Sequence, residues 1–513
     1  MPKENLTIRL FDPGMTHLHR VGLAGLYMTL KALDPFEFEK WGGWVLNPNK
    51  IEIYWTETPR NLLSPIFKRS FGISKQGAIE FLAHKNHRLG DLERLLFHRA
   101  ILSTFLQHGQ TRKVAKEEQS LSIEFGGKTA TESIKPVLEY SNYQNADKYL
   151  FDKKGNFKKD IDLKGGLFPG GVVRHVLHTK DTTLTTNPEK FLTLVFAPVA
   201  SLFFLLSHRS NDGKFDKRKV AALVLPHIHS LESFHRCYKR YLASPVQKLF
   251  VNGLGDAGLT ALTILNLISP EGMIDNLEIN SCSVVTLGSA VWAKQQKTRT
   301  GVWDITDIDL NRLNFFELAL KILPNKFRFN DEGKLIFYTS GVRGLIAENI
   351  ATGRDWFFDF KKLMASKVLS RLISFERKEV AQMVEKKGAW THEADKLVVE
   401  AIHQALRNRY GALANRARLK GEVAQFGREF ERLRTSLMRA KNAQSFRAEI
   451  ADLFARSGLN QTLQNHWKEL LPIILGQDWQ RSRDLALLSL ASYTGKGEDV
   501  LDLEVKNELI EEE

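Results

Sequence analysis

RARLKGEVAQFGREFERLRTSLMRAK, residues Arg416–Lys441, sets its apolar side chains at Leu419, Val423, Phe426, Phe430, Leu433 and Leu437. The steps alternate between four and three, the spacing of a heptad seam, and predict one continuous helix packed by that face against others. On a helical wheel the opposite face collects Arg428, Arg432 and Arg439 with Gly421 and Thr435, while Glu422, Glu429 and Glu431 fall on the flanks. Arg428 to Arg439 covers about 16 Å of axis at about 1.5 Å per residue. A positive row of that length suits a phosphate backbone, and it is equally the pattern of a solvated surface face.

Outward from this helix the chain stays basic. Residues 361–497 carry 25 Lys and Arg against 14 Asp and Glu, whereas 498–513 carry eight acids and one Lys. The whole chain of 513 residues has a formal charge of +14, which directs attention to an acidic partner such as nucleic acid or an anionic membrane. The acidic end reads as a flexible tail able to shield a basic surface. Cys237 and Cys282 are the only cysteines and stand far apart, so neither a disulfide framework nor a cysteine zinc site is expected. The longest uncharged apolar run, Phe191–Leu206, is short for a membrane span and contains Pro198, so a buried core element is expected, and no membrane partner. A reducing cytoplasm is the expected location.

Before residue 356 the patterns are mixed. Leu6–Phe11 predicts a strand and Asp12-Pro13-Gly14 a turn. Thr16 predicts a cap for a helix from His17 to about Leu33, in which Gly22 and Gly25 imply close backbone packing. Trp44–Leu46 and Ile51–Trp55 flank Asn47-Pro48-Asn49 as a hairpin. Val220–Leu225, Leu277–Leu287 and Lys334–Tyr338 read as strands, and Leu231–Leu242, Leu259–Ile268 and Leu313–Leu323 as helices. No βαβ repeat is visible. The fold class is therefore α+β, a large irregular mixed N-terminal domain at 1–355 followed by an all-α basic helical bundle at 356–497 and the acidic tail at 498–513.

Three constellations could carry chemistry. His17, His19, His227 and His229 form two H-x-H pairs that could in principle hold the metal of a hydrolase. Against this, i and i+2 diverge on a helix, and no carboxylate accompanies either pair. Gly253-x-Gly255-x-x-Gly258 follows an apolar run and precedes a helical one, as a dinucleotide fingerprint does; a tight strand-to-helix turn has the same pattern. Trp292–Trp303 reads as a hairpin whose tip carries Lys294, Gln295, Gln296, Lys297 and Arg299. Those side-chain types read base edges or hold phosphate.

The segment Thr7–Tyr27, TIRLFDPGMTHLHRVGLAGLY, resembles the large subunit of type I CRISPR effector complexes (Cascade), in its Myxan-type branch. The likeness is sharpest there and extends more loosely through the rest. It implies a non-enzymatic subunit without cofactor or metal. The N-terminal domain would dock on the guide RNA handle, read the protospacer-adjacent motif in target double-stranded DNA and support R-loop formation. The helical domain, with Arg428, Arg432 and Arg439, would hold the displaced strand or the guide–target duplex. Implied partners are the backbone, handle-capping and small subunits, and a helicase-nuclease or transposition proteins. Some such systems start a separate small subunit inside the large-subunit gene, and Met364 stands where that start would fall.

Overall fold

A computed structural model describes residues 4–495 apart from 88, 108, 164–165, 170–183, 208–220, 267–273, 275, 291–292 and 387, and leaves the side chains of 110, 288–290 and 293–300 undescribed. The acidic stretch 498–513 therefore lies outside the described residues. The chain divides into two compact units, one built mainly from residues up to Asn314 with Asn325–Tyr338, the other from Phe315–Pro324 and Thr339 onward. The first is mixed and the second helical, in agreement with the α+β reading.

In the first unit, β1 (Glu4–Arg9) and β2 (Gly42–Asn47) flank β3 (Lys50–Trp55) in an antiparallel sheet, with Leu6 and Trp44 both opposite Ile53. Helix α1 (His17–Ala32) starts after Thr16, and α2 (Pro188–Ala200) starts after Asn187, whose side chain accepts the Lys190 N–H. The apolar run that looked too short to span a membrane is this helix followed by β4 (Leu202–Leu206), with Phe191–Phe204 buried throughout. A β-carbon at Gly22 would land on the carbonyl of Thr193, and one at Gly25 on that of Phe196. The two helices thus meet backbone to backbone, which only glycine permits.

A five-stranded sheet forms the centre of this unit. Its order is β6 (Phe250–Val251), β4, β5 (Ala221–Pro226), β7 (Cys282–Ala290) and β8 (Ala293–Ile305), antiparallel except for the β6–β4 pair. Helix α3 (Leu231–Leu242) follows β5, and α4 (Leu254–Asn266) follows β6.

In the second unit the continuous helix expected from the apolar spacing is corrected. Arg416–Lys441 is not one helix but the end of α5 (Glu393–Lys420), a corner, and α6 (Phe426–Arg439). Gly421 takes φ 66° as the left-handed cap, and the Glu422 N–H reaches back to the Ala417 carbonyl at 2.9 Å. Leu419 and Val423 consequently stand 83% and 81% exposed, while Phe426, Phe430, Leu433 and Leu437 keep the buried seam. The apolar spacing ran on through the corner, but the glycine that sat innocuously on the wheel's polar face ends the helix. Helices α7 (Ala443–Ser457) and α8 (Trp479–Ser492) follow. α8 is buried on every side from Ser482 to Ser492, so it is the central helix of the bundle.

Candidate nucleic-acid interface

The structure brings two of the four histidines together. α1 begins at His17 just as β5 runs out into His227, and the two imidazoles stack with centroids 3.6 Å apart and planes 4° from parallel. The His227 N–H is tied to the Ser281 carbonyl at 2.9 Å, and its Nε2 lies 3.3 Å from Ser283 Oγ. Burial, the neighbouring His17 and Arg20 push the His227 pKa down to about 4, against an opposing pull from Asp304. Burial and Arg20 lower that of His17. Both rings are therefore neutral at pH 7, the state in which two imidazoles can lie face to face.

Around this pair lies a set of planar groups. The Arg20 guanidinium sits 5.0 Å from the centroid of Phe11, which is 53% exposed, and His229 stacks on the same ring at 6.4 Å. His17 Nδ1 and Arg20 Nε are buried with no hydrogen-bond partner. Exposed rings beside a guanidinium, with unspent polar atoms behind them, can stack flat bases and attract phosphate. The sequence reading missed Phe11, Arg20 and Asp304. Phe11 and Arg20 both stand inside Thr7–Tyr27, but nothing in the spacing shows that the Phe11 ring meets both Arg20 and His229.

The four-histidine metal reading is corrected. His19 turns back to cap α1, its Nδ1 accepting the Thr16 N–H at 3.3 Å, and His229 belongs to Phe11. Stacked parallel rings aim their in-plane lone pairs side by side rather than at one ion. Among the described residues no three His, Cys, Asp or Glu side chains are grouped to hold a metal. The glycine motif serves packing: a β-carbon at Gly258 would strike Ile305, Val284 and Cys282, so it lets α4 lie close on β7 and β8.

The hairpin exists, but its basic residues are placed differently from the expectation. Because β7 ends at Ala290 and β8 begins at Ala293, Lys294, Gln295, Gln296, Lys297 and Arg299 lie along the second strand rather than at the tip. The register passes from Ser289–Lys297 directly to Ala290–Ala293, which leaves Lys294, Gln295 and Gln296 in an irregularity. The side chains of these five residues lie outside the described ones.

The three arginines expected to form a row on α6 separate into two kinds. Arg428 and Arg439 are exposed. Arg432 is half-buried and donates to Glu429 at 2.9 Å, with Asp452 at 3.8 Å. Glu429 also accepts from Arg409 at 2.9 Å. Burial alone would raise the Glu429 pKa; the bonds from Arg432 and Arg409 outweigh it and hold the carboxyl below its ordinary value. Arg434 is likewise engaged, by Glu431 and by the Met364 carbonyl.

The family models for the DevT N-terminal domain and the DevT C-terminal domain match residues 7–195 and 385–513. The CRISPR-associated protein Cas8a1/Csx13 of Myxococcus xanthus (strain DK1622) is 27% identical over 98% of this chain and 91% of its own length. The chain belongs to the Myxan-type branch of the Cascade large subunits. In this large subunit the N-terminal match takes in Phe11, His17, His19 and Arg20, and the C-terminal match takes in Arg428, Arg432 and Arg439. His227 and His229 fall between the two matched segments. Among the described residues no helix is long and apolar enough to cross a membrane.

Proposed function

We propose that this large subunit is a non-catalytic binding component of a cytoplasmic RNA-guided surveillance complex. It docks on the guide RNA handle beside the backbone, handle-capping and small subunits. It reads the protospacer-adjacent motif in duplex DNA, supports strand opening and R-loop formation, and helps recruit a helicase-nuclease or transposition proteins. The observation that carries the reading is the match of both DevT domains, in order, together with a CRISPR-associated relative aligned over 98% of the chain. The planar and cationic cluster of Phe11, His229 and Arg20 supports nucleic-acid contact in the first unit, and exposed Arg428 and Arg439 support backbone contact in the second.

The hairpin residues Lys294, Gln295, Gln296, Lys297 and Arg299 are the proposed motif readers. The test is a guide complex reconstituted with and without this chain, presented with target duplexes whose flanking motif is randomised. The expected result is motif-dependent, salt-sensitive binding and strand opening only when the chain is present, with the duplex left uncut. Equal opening and equal flank preference without the chain would overturn the reading. Replacing Gln295, Gln296 and Arg299 with Ala is expected to flatten the flank preference; an equal loss on every flank makes this strand a backbone clamp instead.

A further inference from the structure

The short antiparallel pair Phe71–Ile73 and Ile79–Phe81, the turn Leu82–His84 and the helix Asp91–Ser103 border a cleft of about 270 Å³ in the first unit. Its floor is apolar: Ile79 and Phe81 are buried, and Leu82, Leu89 and Phe97 half-buried. Phe81, His84 and Phe97 pack on one another with ring centroids 5.2–5.8 Å apart, so the floor is formed before any ligand arrives. His84 belongs to that floor as a neutral ring. It is fixed to the Val199 carbonyl at 2.8 Å, and burial lowers its pKa to about 4.

The rim has the opposite character. Arg69, Lys85 and Arg94 are exposed around it. Arg69 meets Glu37, and Arg94 lies 3.9 Å from Asp91; both pairs are open to water and so exchangeable for another anion. Glu80 is the one carboxylate among the lining residues.

We propose that this cleft takes one nucleotide of a single strand, with its base on the Phe97 side and its phosphate at the Arg69, Lys85 and Arg94 rim. The volume lies just below the range of ligand pockets, about 300–1,000 Å³, so the cleft has room for one nucleoside and not for a stacked pair. Glu80 accepts a hydrogen bond from an exocyclic amino group and repels a carbonyl in that place, so adenine, cytosine or guanine is favoured over uracil or thymine. The assignment rests on the chain being a nucleic-acid-binding subunit, but neither the histidine cluster nor the arginines of α6 enter it.

The test uses the full chain and adenosine 5′-monophosphate, followed by calorimetry and by the shift in melting temperature. Adenosine monophosphate or its deoxy form is expected to bind about tenfold more tightly than uridine monophosphate, the ratio of one charge-assisted hydrogen bond. Lys85→Glu, at an exposed position, should weaken the adenine nucleotide about tenfold. Leu89→Trp should fill the floor and abolish binding, and Glu80→Gln should erase the preference over uridine. No nucleotide binding at millimolar concentration, binding unchanged by both Lys85→Glu and Leu89→Trp, or inorganic phosphate binding as tightly as the nucleotide would each overturn the cleft assignment. Assembly with guide RNA is measured in parallel. Intact assembly with no nucleotide binding sinks the cleft alone, whereas failure to assemble with guide RNA and target sinks the broader function.

Discussion

In the first unit α1 meets α2 where Gly22 and Gly25 face the carbonyls of Thr193 and Phe196; in the second, α8 is fastened to α5 by Arg481, which donates to Asp395 and, at 3.1 Å, to Asp355. One seam is closed by removing side chains so that backbones touch. The other is closed by one long cation held between two carboxylates. Asp395 is 0% exposed, so its charge is stable in place only because Arg481 neutralises it. A basic bundle can therefore spend much of its charge on itself. The total of 25 Lys and Arg in residues 361–497 overstates the cations left free for a nucleic acid.

The largest expected effect tests that contrast directly. Arg481→Ala leaves Asp395 buried and unpaired and should cost about 3–5 kcal/mol in denaturant unfolding of the second unit. A loss below about 1 kcal/mol would mean that the pair is solvated and the contrast false. The same bonds bear on an internal start at Met364. A product beginning there lacks Asp355, and it lacks the Asp359 and Lys361 amides that donate to buried Asp484 at 2.8 and 3.1 Å. It should melt well below a product beginning at Thr339.

Gly22→Ala comes next. Its new methyl meets backbone rather than a side chain that can swing away, so relief requires moving α2, at about 3 kcal/mol. Melting temperature measures it. A neutral result would show that α1 and α2 are less closely apposed than Gly22 and Gly25 require.

Smaller, and divided by sign, are the effects on α6. Arg428→Ala with Arg439→Ala should leave stability within about 0.5 kcal/mol while weakening DNA binding and reducing the salt slope by about 0.9 for each phosphate no longer neutralised. Arg432→Ala should do the reverse, losing about 1 kcal/mol of stability through Glu429 with little change in slope. If all three arginines lower the slope equally, the row is a single phosphate track and the ion pair with Glu429 yields to DNA.

What could be read in advance follows from range. The α+β division, the capped helix at Thr16, the hairpin around Asn47-Pro48-Asn49 and the glycine seam of α1 are written in residues within a few positions of one another. The break at Gly421 was also local, yet the apolar spacing masked it, because a periodic pattern carries no information on whether the chain turns between two of its members. The partners of Arg481 lie 86 and 126 residues away, and His17 and Phe11 find His227 and His229 only through the placement of β5 beside α1. No spacing rule connects such residues. The metal reading failed for that reason: it could pair histidines by type but could not see that their rings lie flat on each other.

The stack itself offers the finest test. An unfolded histidine titrates near about 6.5, and His227 is lowered to about 4 in the fold. Between those values the unfolded chain holds more protons than the native one, so stability rises with pH across that window. It is fully present above about pH 6.5 and is lost as the pH falls toward 4. His17 is lowered in the same direction. Both rings are only part-buried, so solvent screening cuts the contribution well below what full burial would give. Other buried histidines, His84 and His98 among them, add a similar slope, so the informative quantity is a difference. His227→Phe keeps a flat ring over His17 but removes its proton. Its melting curve should run closer to level between pH 4 and 6.5 than that of the parent chain. Parallel curves would mean that the imidazoles are not held neutral, and that Arg20 and Asp304, not the stack, set the charge beside Phe11.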